Sequence, residues 1–192
     1  MSDIQNIMLV GVGGQGIILA SEVLSEALLL SGHDVKKSEI HGMAQRGGSV
    51  RTDVRFGARV WSPLIPAGGA DILVAFEQLE SLRYLTQLRP GGQVLLSTEV
   101  IIPTTAIGGP PYPAHVEDLL RTRASQVWAL DSLALATQAG NPRTAGTCLL
   151  GALSHLLPVA EEHWQGAFKA KMPPRFLDVN WQAFHLGKHA CA

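Results

Sequence analysis

Apolar positions along the chain form short unbroken runs that alternate with longer stretches of helical periodicity. The runs at 7–10 and 71–76 are typical of strands buried on both faces in a parallel sheet. Residues 15–31 show a broad apolar face at helical spacing, and Gly32 follows, a residue favoured just beyond a helix end. The same criteria predict further strands at 35–40, 94–97 and 127–130 and further helices at 77–88, 115–124, 133–138, 145–157 and 158–171.

Residues 50–56 follow a different pattern, because apolar and charged side chains alternate there one by one. This period of two indicates a strand with one face in water, as in an antiparallel edge or hairpin. Gly57 is expected to make a turn. Residues 59–62 are expected to form the returning strand, which Pro63 and Pro66 end.

The order of elements predicts a three-layer, Rossmann-like α/β fold with a mostly parallel sheet and one antiparallel hairpin. We expect a break at the Pro-Gly-Gly of 90–92, and a strand followed by a long, stiff loop within 99–113. Residues 173–192 are expected to form an extension that ends in a short turn of helix. The chain is predicted to be a single domain over 1–192, in which about 158–192 form a C-terminal helical arm.

Composition limits the classes of partner. Charged residues make up 16% of the 192 residues, against roughly 25% in typical soluble domains. A partner subunit or a homodimer of the isolated chain would cover such a surface, although a monomer rich in small residues also fits. The net charge of -1 offers no basic excess for nucleic acid. No apolar run reaches the length of about 18 residues that spans a membrane. Residues 1–12 show no secretion signal, so we expect a cytoplasmic protein.

Cysteine and histidine usage argues against a metal centre held by this chain alone. Cys148 lies in an apolar helical run and Cys191 near the end of the sequence. Two distant cysteines cannot supply the four thiolates of an iron–sulfur cluster. The seven histidines are scattered along the chain, so we predict no metal site.

The first candidate site has the spacing G-x-G-x-x-G between a predicted strand and a predicted helix. Backbone N–H groups at the start of a helix attract anions, whereas a turn needed only for packing is the alternative. The candidate residues of this anion site are Gly11, Gly13, Gly14, Gln15 and Gly16.

Binding of NAD(P) is a secondary hypothesis for the same loop. It needs an acidic residue at the end of the second strand, about 20 residues further on. Glu39 lies beyond that spacing, and a glycine loop with a hairpin follows it instead of a second crossover helix.

A second glycine-rich loop combines groups of different chemistry. His41 carries an imidazole, a group that ordinarily titrates near neutrality. Gln45 both donates and accepts hydrogen bonds, and Arg46 offers a forked donor to phosphate or carboxylate. Gly47 and Gly48 follow directly. We predict a binding or interface loop here, and a solvated surface loop is the alternative.

The two loops together resemble a known family. The segments GVGGQGI at 11–17 and EIHGMAQRGGSVRTDVRFG at 39–57 are similar to the gamma subunit or domain of the 2-oxoacid:ferredoxin oxidoreductases. The nearest branch is that of the small, beta subunits of indolepyruvate oxidoreductases. The resemblance covers nearly the whole chain, including 71–77, 90–92, Pro113 and 179–187. Its motifs are specific because they occur together and in order.

The resemblance implies a subunit that is inactive alone. Such enzymes decarboxylate a 2-oxoacid, here indolepyruvate or another arylpyruvate, on thiamine diphosphate. They pass electrons to ferredoxin and the acyl group to coenzyme A. Thiamine diphosphate, Mg²⁺ and [4Fe–4S] clusters are expected on a large partner subunit, and coenzyme A is a shared substrate.

The family likeness also suggests roles for the two loops. The first would hold phosphates of coenzyme A, and His41, Gln45 and Arg46 would face the cleft or the partner. No residue is assigned as catalytic. A non-catalytic assembly module with a vestigial glycine loop remains a third hypothesis.

Overall fold

The computed structural model describes residues 4–42, 47–102 and 111–191. In these residues six strands form one mixed sheet in the order β2-β3-β1-β4-β5-β6. Strands β1, β4, β5 and β6 run parallel, whereas β3 is antiparallel to both β1 and β2. The strands are β1 Gln5–Val12, β2 Asp34–His41, β3 Ser49–Gly57, β4 Ala70–Ala75, β5 Leu88–Ser97 and β6 Gln126–Leu130.

Helices cover both faces of the sheet. The helices are α1 Ile17–Leu30, α2 Gln78–Arg83, α3 Val116–Arg121, α4 Ser132–Gln138, α5 Ala145–Leu153, α6 Glu161–Lys171 and α7 Leu177–Ala190. Helix α1 ends as the sequence predicts, with Gly32 in the left-handed region at φ 88°. The N–H groups of Gly32 and His33 donate to the carbonyls of Leu29 and Leu28 over 3.0 and 3.1 Å, which satisfies the last turn.

The side chains of β1 show why the fold has three layers. Ile7 and Leu9 pack into a core with α1, α5, α6 and α7 on one face of the sheet. Met8 and Val10 pack on the other face, in a core that includes residues of α3. Both faces of the strand are covered, so it carries an unbroken apolar run, and the predicted α/β class is confirmed.

The predicted antiparallel hairpin is present, but its composition differs from the prediction. Strand β3 pairs with the preceding β2 and lies between β2 and β1. The returning strand predicted at 59–62 is wrong, since those residues are irregular. Arg55 Nη1 binds the carbonyls of Ser62 and Leu64 over 2.8 and 3.0 Å, and this guanidinium replaces strand pairing.

The end of α2 and the start of β5 differ from their predicted positions. Helix α2 ends at Arg83, and a short 3₁₀ turn at Leu85–Gln87 leads into β5. The Pro-Gly-Gly of 90–92 does not end an element but bulges out of β5. Ala70 pairs with Leu88, whereas Ile72 pairs with Gln93.

The C-terminal helical arm is present as α6 and α7. The short turn predicted near the end is wrong, because α7 extends from Leu177 to Ala190. Trp164 and Phe168 of α6 and Phe184 of α7 are buried in the same core cluster as Ile7 and Leu9. The arm therefore completes one face of the sheet. That the chain forms a single domain over 1–192 stays a prediction.

The topology brings several loops to one edge. The chain leaves β1 through α1 towards β2, whereas β4, β5 and β6 extend from β1 in the opposite direction. Ligands of open α/β sheets bind beyond the carboxyl ends of the strands, where the strand order reverses. That point lies between β1 and β4. Every helix in the described part of the chain is too short or too polar to cross a bilayer.

Candidate functional site

The first glycine loop lies at the carboxyl end of β1, against the second. The N–H of Gly13 donates to the carbonyl of Gly48 over 2.8 Å, and the N–H of Gly47 donates to the carbonyl of Gly13 over 3.2 Å. Gly14 and Gly16 adopt φ of 109° and 80°, which strain any other residue. Gly16 is the N-cap of α1, which has no side-chain cap. The first N–H groups of the helix therefore point outward without an intrahelical partner.

The side chain of Gln15 ties three strands together. Its Oε1 accepts from the N–H of Val12 over 2.7 Å, and its Nε2 donates to the carbonyl of Phe76 over 2.8 Å and to Glu99 Oε2 over 3.0 Å. A Cβ at Gly11 would lie 2.7 Å from Gln15 Oε1, so this glycine makes room for the amide. Both donors of the amide are thus used within the chain.

The second loop is only partly described. His41 ends β2, where its backbone is in register with Val50 of β3. Gln45 and Arg46 lie outside the described residues. The structure therefore brings together, of the predicted candidates, Gly11, Gly13, Gly14, Gln15, Gly16, Gly47 and Gly48.

A cleft of about 710 Å³ opens at this edge of the sheet. The glycine loops form its floor. Arg143, just before α5, contributes an exposed guanidinium, and Ser132 contributes the first residue of α4. The lining residues are Val12, Gly13, Gly14, Gln15, Gly16, Gly47, Phe76, Glu99, Ile101, Ser132, Leu133, Pro142, Arg143 and Ala145.

A smaller pocket of about 250 Å³ adjoins the cleft and is acidic. Glu77 and Glu80 are 1% and 4% exposed. Glu77 caps α2 by accepting from the N–H of Glu80 over 2.9 Å, and it also accepts from the Tyr112 hydroxyl. Glu80 pairs with Arg83 over 3.0 Å and accepts from the Ser49 hydroxyl. Burial, followed by the bond to Glu77, raises the pKa of Tyr112.

Sequence reasoning missed part of this lining. Phe76 and Glu99 follow closely on strands β4 and β5, and that position at the carboxyl edge is the signal that could have identified them. Asp131, between β6 and α4, has a structural role. It is exposed, and its Oδ1 accepts from the N–H of Ala134 over 2.9 Å as the cap of α4.

The strand order separates the glycine loop from the acidic residue that NAD(P) would need. Glu39 lies on β2, and β3 is inserted between β2 and β1. At roughly 4.8 Å per strand, the two strands are about 10 Å apart. Glu39 is instead paired with Lys37 over 2.7 Å. This geometry does not fit the ribose contact of a dinucleotide fold.

The described residues offer little to a metal ion. Across 4–42, 47–102 and 111–191 no three histidine, cysteine or acidic side chains come close enough to share one. Cys148 is buried, and burial raises the pKa of its thiol to about 12.

Comparison with known sequences assigns the chain to a family. Residues 6–190 match the sequence model of the pyruvate ferredoxin/flavodoxin oxidoreductase family. The chain is 39% identical over 192 residues to indolepyruvate oxidoreductase subunit IorB of Pyrococcus horikoshii, covering 96% of this chain and 95% of that one. The same subunit of Methanothermobacter thermautotrophicus is also 39% identical, with 97% of both chains covered.

Comparison of folds agrees. The gamma subunit of keto/oxoacid ferredoxin oxidoreductase from Geobacter sulfurreducens superposes with a TM-score of 0.74 at 25% identity. That match covers 97% of this chain and 98% of the other. The chain therefore belongs to the pyruvate ferredoxin/flavodoxin oxidoreductase family, and it is a small subunit of a 2-oxoacid:ferredoxin oxidoreductase.

Proposed function

We propose that this chain is the small subunit of a cytoplasmic indolepyruvate-type oxidoreductase and that its cleft binds the phosphates of coenzyme A. The main support for this proposal is the geometry of the floor of the cleft. There, two glycines in left-handed conformations and the uncapped start of α1 direct backbone N–H groups outward. Arg143 adds a cation on the wall. Donors at a helix start together with a guanidinium suit a phosphate.

Only some backbone N–H groups of the glycine loop can donate to a phosphate. The N–H groups of Gly13 and Gln15 already donate to the carbonyls of Gly48 and Val12 over 2.8 and 3.1 Å. We therefore assign the phosphate contacts to Gly14, Gly16 and the first turn of α1. Gly13, Gln15, Gly47 and Gly48 would hold the loop in shape. His41, Gln45 and Arg46 keep their proposed place facing the cleft or the partner.

We assign the redox cofactors to a larger partner subunit. Cys148 is buried, so the chain has no set of accessible thiolates for a [4Fe–4S] cluster. No described group of three ligating side chains suits Mg²⁺, which prefers oxygen ligands in octahedral geometry. We propose that thiamine diphosphate, Mg²⁺ and the clusters lie on that partner, through which ferredoxin is reduced.

The edge that carries the cleft is also the proposed partner surface. Apolar side chains exposed there line or flank the cleft: Ile18 and Leu19 lie in the first turn of α1, Val100 and Ile102 follow Glu99, and Leu133 lies in the first turn of α4. Exposed apolar groups around a polar cleft are typical of an interface. The larger subunit would close the cleft and exclude water from it.

A co-purified complex tests this function. The chain, tagged and expressed with the product of its neighbouring gene, is expected to yield a brown complex that reduces a viologen dye with indolepyruvate and coenzyme A. A colourless chain that purifies alone and binds NAD(P) would overturn the proposal. Arg143→Gln in the complex is expected to raise the KM for coenzyme A about tenfold with little change in kcat, as loss of a charged contact predicts.

Two matched variants complete that experiment. Arg121→Gln removes an exposed arginine of α3, where it pairs only with Glu117 and Asp118 in the described residues, and should leave the KM unchanged. Gly13→Val addresses the assembly-module alternative. If its complex is less stable but keeps full affinity for coenzyme A, the glycine loop has only a structural role.

A further inference from the structure

Glu99 stands out in the cleft because its carboxylate is held in place but has no cationic partner among the described residues. Its N–H donates to Ser97 Oγ over 3.2 Å, and its carbonyl accepts from the N–H of Gln78 over 3.2 Å. Its Oε2 accepts from Gln15 Nε2 over 3.0 Å. The side chain is half-buried in the wall of the cleft. Its position is therefore set by three contacts with the ends of β1, β5 and α2.

The described residues leave the second carboxylate oxygen of Glu99 for a ligand. Among the described residues, Glu99 Oε1 accepts no hydrogen bond, and no lysine or arginine lies within ion-pair distance of the group. When a ligand or a partner covers a carboxylate, its oxygens must accept hydrogen bonds or the burial costs free energy. A ligand that donates a hydrogen bond to this oxygen would supply a partner that the described residues do not provide.

The charges around the cleft argue against a ligand that is anionic throughout. Arg143 and Arg83 are the cations that line the cleft and the adjoining pocket in the described residues. Glu99, Glu77 and Glu80 line them as well. The floor attracts a phosphate, whereas the carboxylate beside it repels a second one. The described lining is thus complementary to a ligand with a phosphate at one point and a neutral hydrogen-bond donor at the next.

We propose that Glu99 is a specificity-determining residue that accepts a hydrogen bond from a hydroxyl or amide N–H of the ligand, next to the phosphate held by the glycine loop. The ligand class is a phosphate ester that carries such a donor, and coenzyme A belongs to it. The inference rests on the phosphate site proposed above. It adds that the wall beside that site discriminates between a substituted phosphate and a bare polyphosphate.

Two probes separate donor recognition from anion binding. In the co-purified complex, Glu99→Gln keeps the size of the side chain and an oxygen that can accept from Gln15 Nε2. Affinity for coenzyme A should fall about tenfold, since the charged acceptor is lost. Affinity for inorganic pyrophosphate should be unchanged or rise a few-fold, since a repelling charge is removed. Glu162→Gln, on a side chain 81% exposed on α6, is the matched control and should change neither.

Each outcome decides the matter. Arg143→Gln should lower the affinity of the complex for both coenzyme A and pyrophosphate, whereas Glu99→Gln should lower only the affinity for coenzyme A. If Glu99→Gln lowers the affinity for both probes equally, Glu99 only supports Gln15, and the inference is overturned. It is also overturned if both affinities stay as in the parent complex. If the parent complex binds neither probe, the phosphate site itself fails, a result that differs from either of the others.

Discussion

Gln15 is the residue on which the shape of the site depends most directly. Its amide makes three hydrogen bonds, to the backbone of Val12 and Phe76 and to Glu99. Gly11 is required beneath it, because a Cβ there would lie 2.7 Å from Gln15 Oε1 and 2.8 Å from Phe76 Cβ. A spacing that resembles a dinucleotide loop thus serves in part to admit a glutamine.

Gln15→Ala should lower the free energy of unfolding by about 1–3 kcal/mol, because it leaves buried backbone groups of Val12 and Phe76 without partners. Urea unfolding followed by circular dichroism measures the change. Gln138→Ala, at an exposed position of α4, is the matched control and should stay within about 0.5 kcal/mol of the parent. Equal stability of the two variants would show that the amide is dispensable.

Cys148 predicts a specific pH dependence. Burial raises the pKa of its thiol to about 12, above the value of about 8.5 in an unfolded chain. Its stabilising contribution is therefore complete below pH about 8.5 and is lost progressively as the pH rises towards the folded pKa. Between pH 8 and 10 the parent should lose roughly 1–2 kcal/mol more stability than Cys148→Ala. Parallel urea midpoints for the two proteins across this range would contradict the assignment.

At the scale of elements, two glycines allow α5 and α7 to touch. A Cβ at Gly151 would lie 1.9 Å from the carbonyl oxygen of Phe184, and a Cβ at Gly187 would lie 1.9 Å from that of Cys148. These are backbone atoms, so neither helix can yield without moving as a whole. The close approach buries Phe184 against Trp164 and Trp181, with ring centroids at 5.3 and 5.1 Å.

Gly151→Ala should therefore destabilise the protein by at least about 2 kcal/mol, even though alanine favours a helix. Gly166→Ala on α6 is the matched control, because its Cβ would meet only the terminal Cδ1 of Leu30 at 2.9 Å. It should change stability by less than about 1 kcal/mol. Urea midpoints decide between them, and similar values would mean that α5 and α7 can separate at little cost.

These elements also show where sequence reasoning succeeds. Strand β1 and helix α1 have local signals, an apolar run and a helical stripe followed by Gly32, and both were predicted. The helical arm at about 158–192 was predicted as well, but the length of α7 was not, because its sequence is mixed in polarity and contains Gly187, whose use depends on a distant carbonyl. The glycine loop was found from its spacing. Glu99 was missed because a single acidic residue after a strand has no pattern of its own.

At the scale of the whole molecule, the cleft lies in a surface suited to a partner. The segment 58–66 at the opposite edge of the sheet also exposes Trp61, so apolar exposure alone does not identify the interface. The carboxyl edge differs because its apolar residues flank the lining of the cleft. A subunit that covered this edge would both bury those residues and enclose the ligand. A partner at the opposite edge would leave the cleft open to water.

Leu133→Glu should therefore disrupt assembly. Leu133 is 42% exposed and lines the cleft, so a glutamate there stays solvated in the free chain but would be buried without a partner in the complex. We expect recovery of the larger subunit with the tagged chain to fall at least tenfold, with an unchanged circular dichroism spectrum of the isolated chain. Leu29→Glu, at a site 51% exposed at the far end of α1, should leave recovery unchanged. Loss of assembly in Leu29→Glu together with normal assembly of Leu133→Glu would move the interface to the opposite edge. The cleft would then have to bind its ligand without a covering subunit.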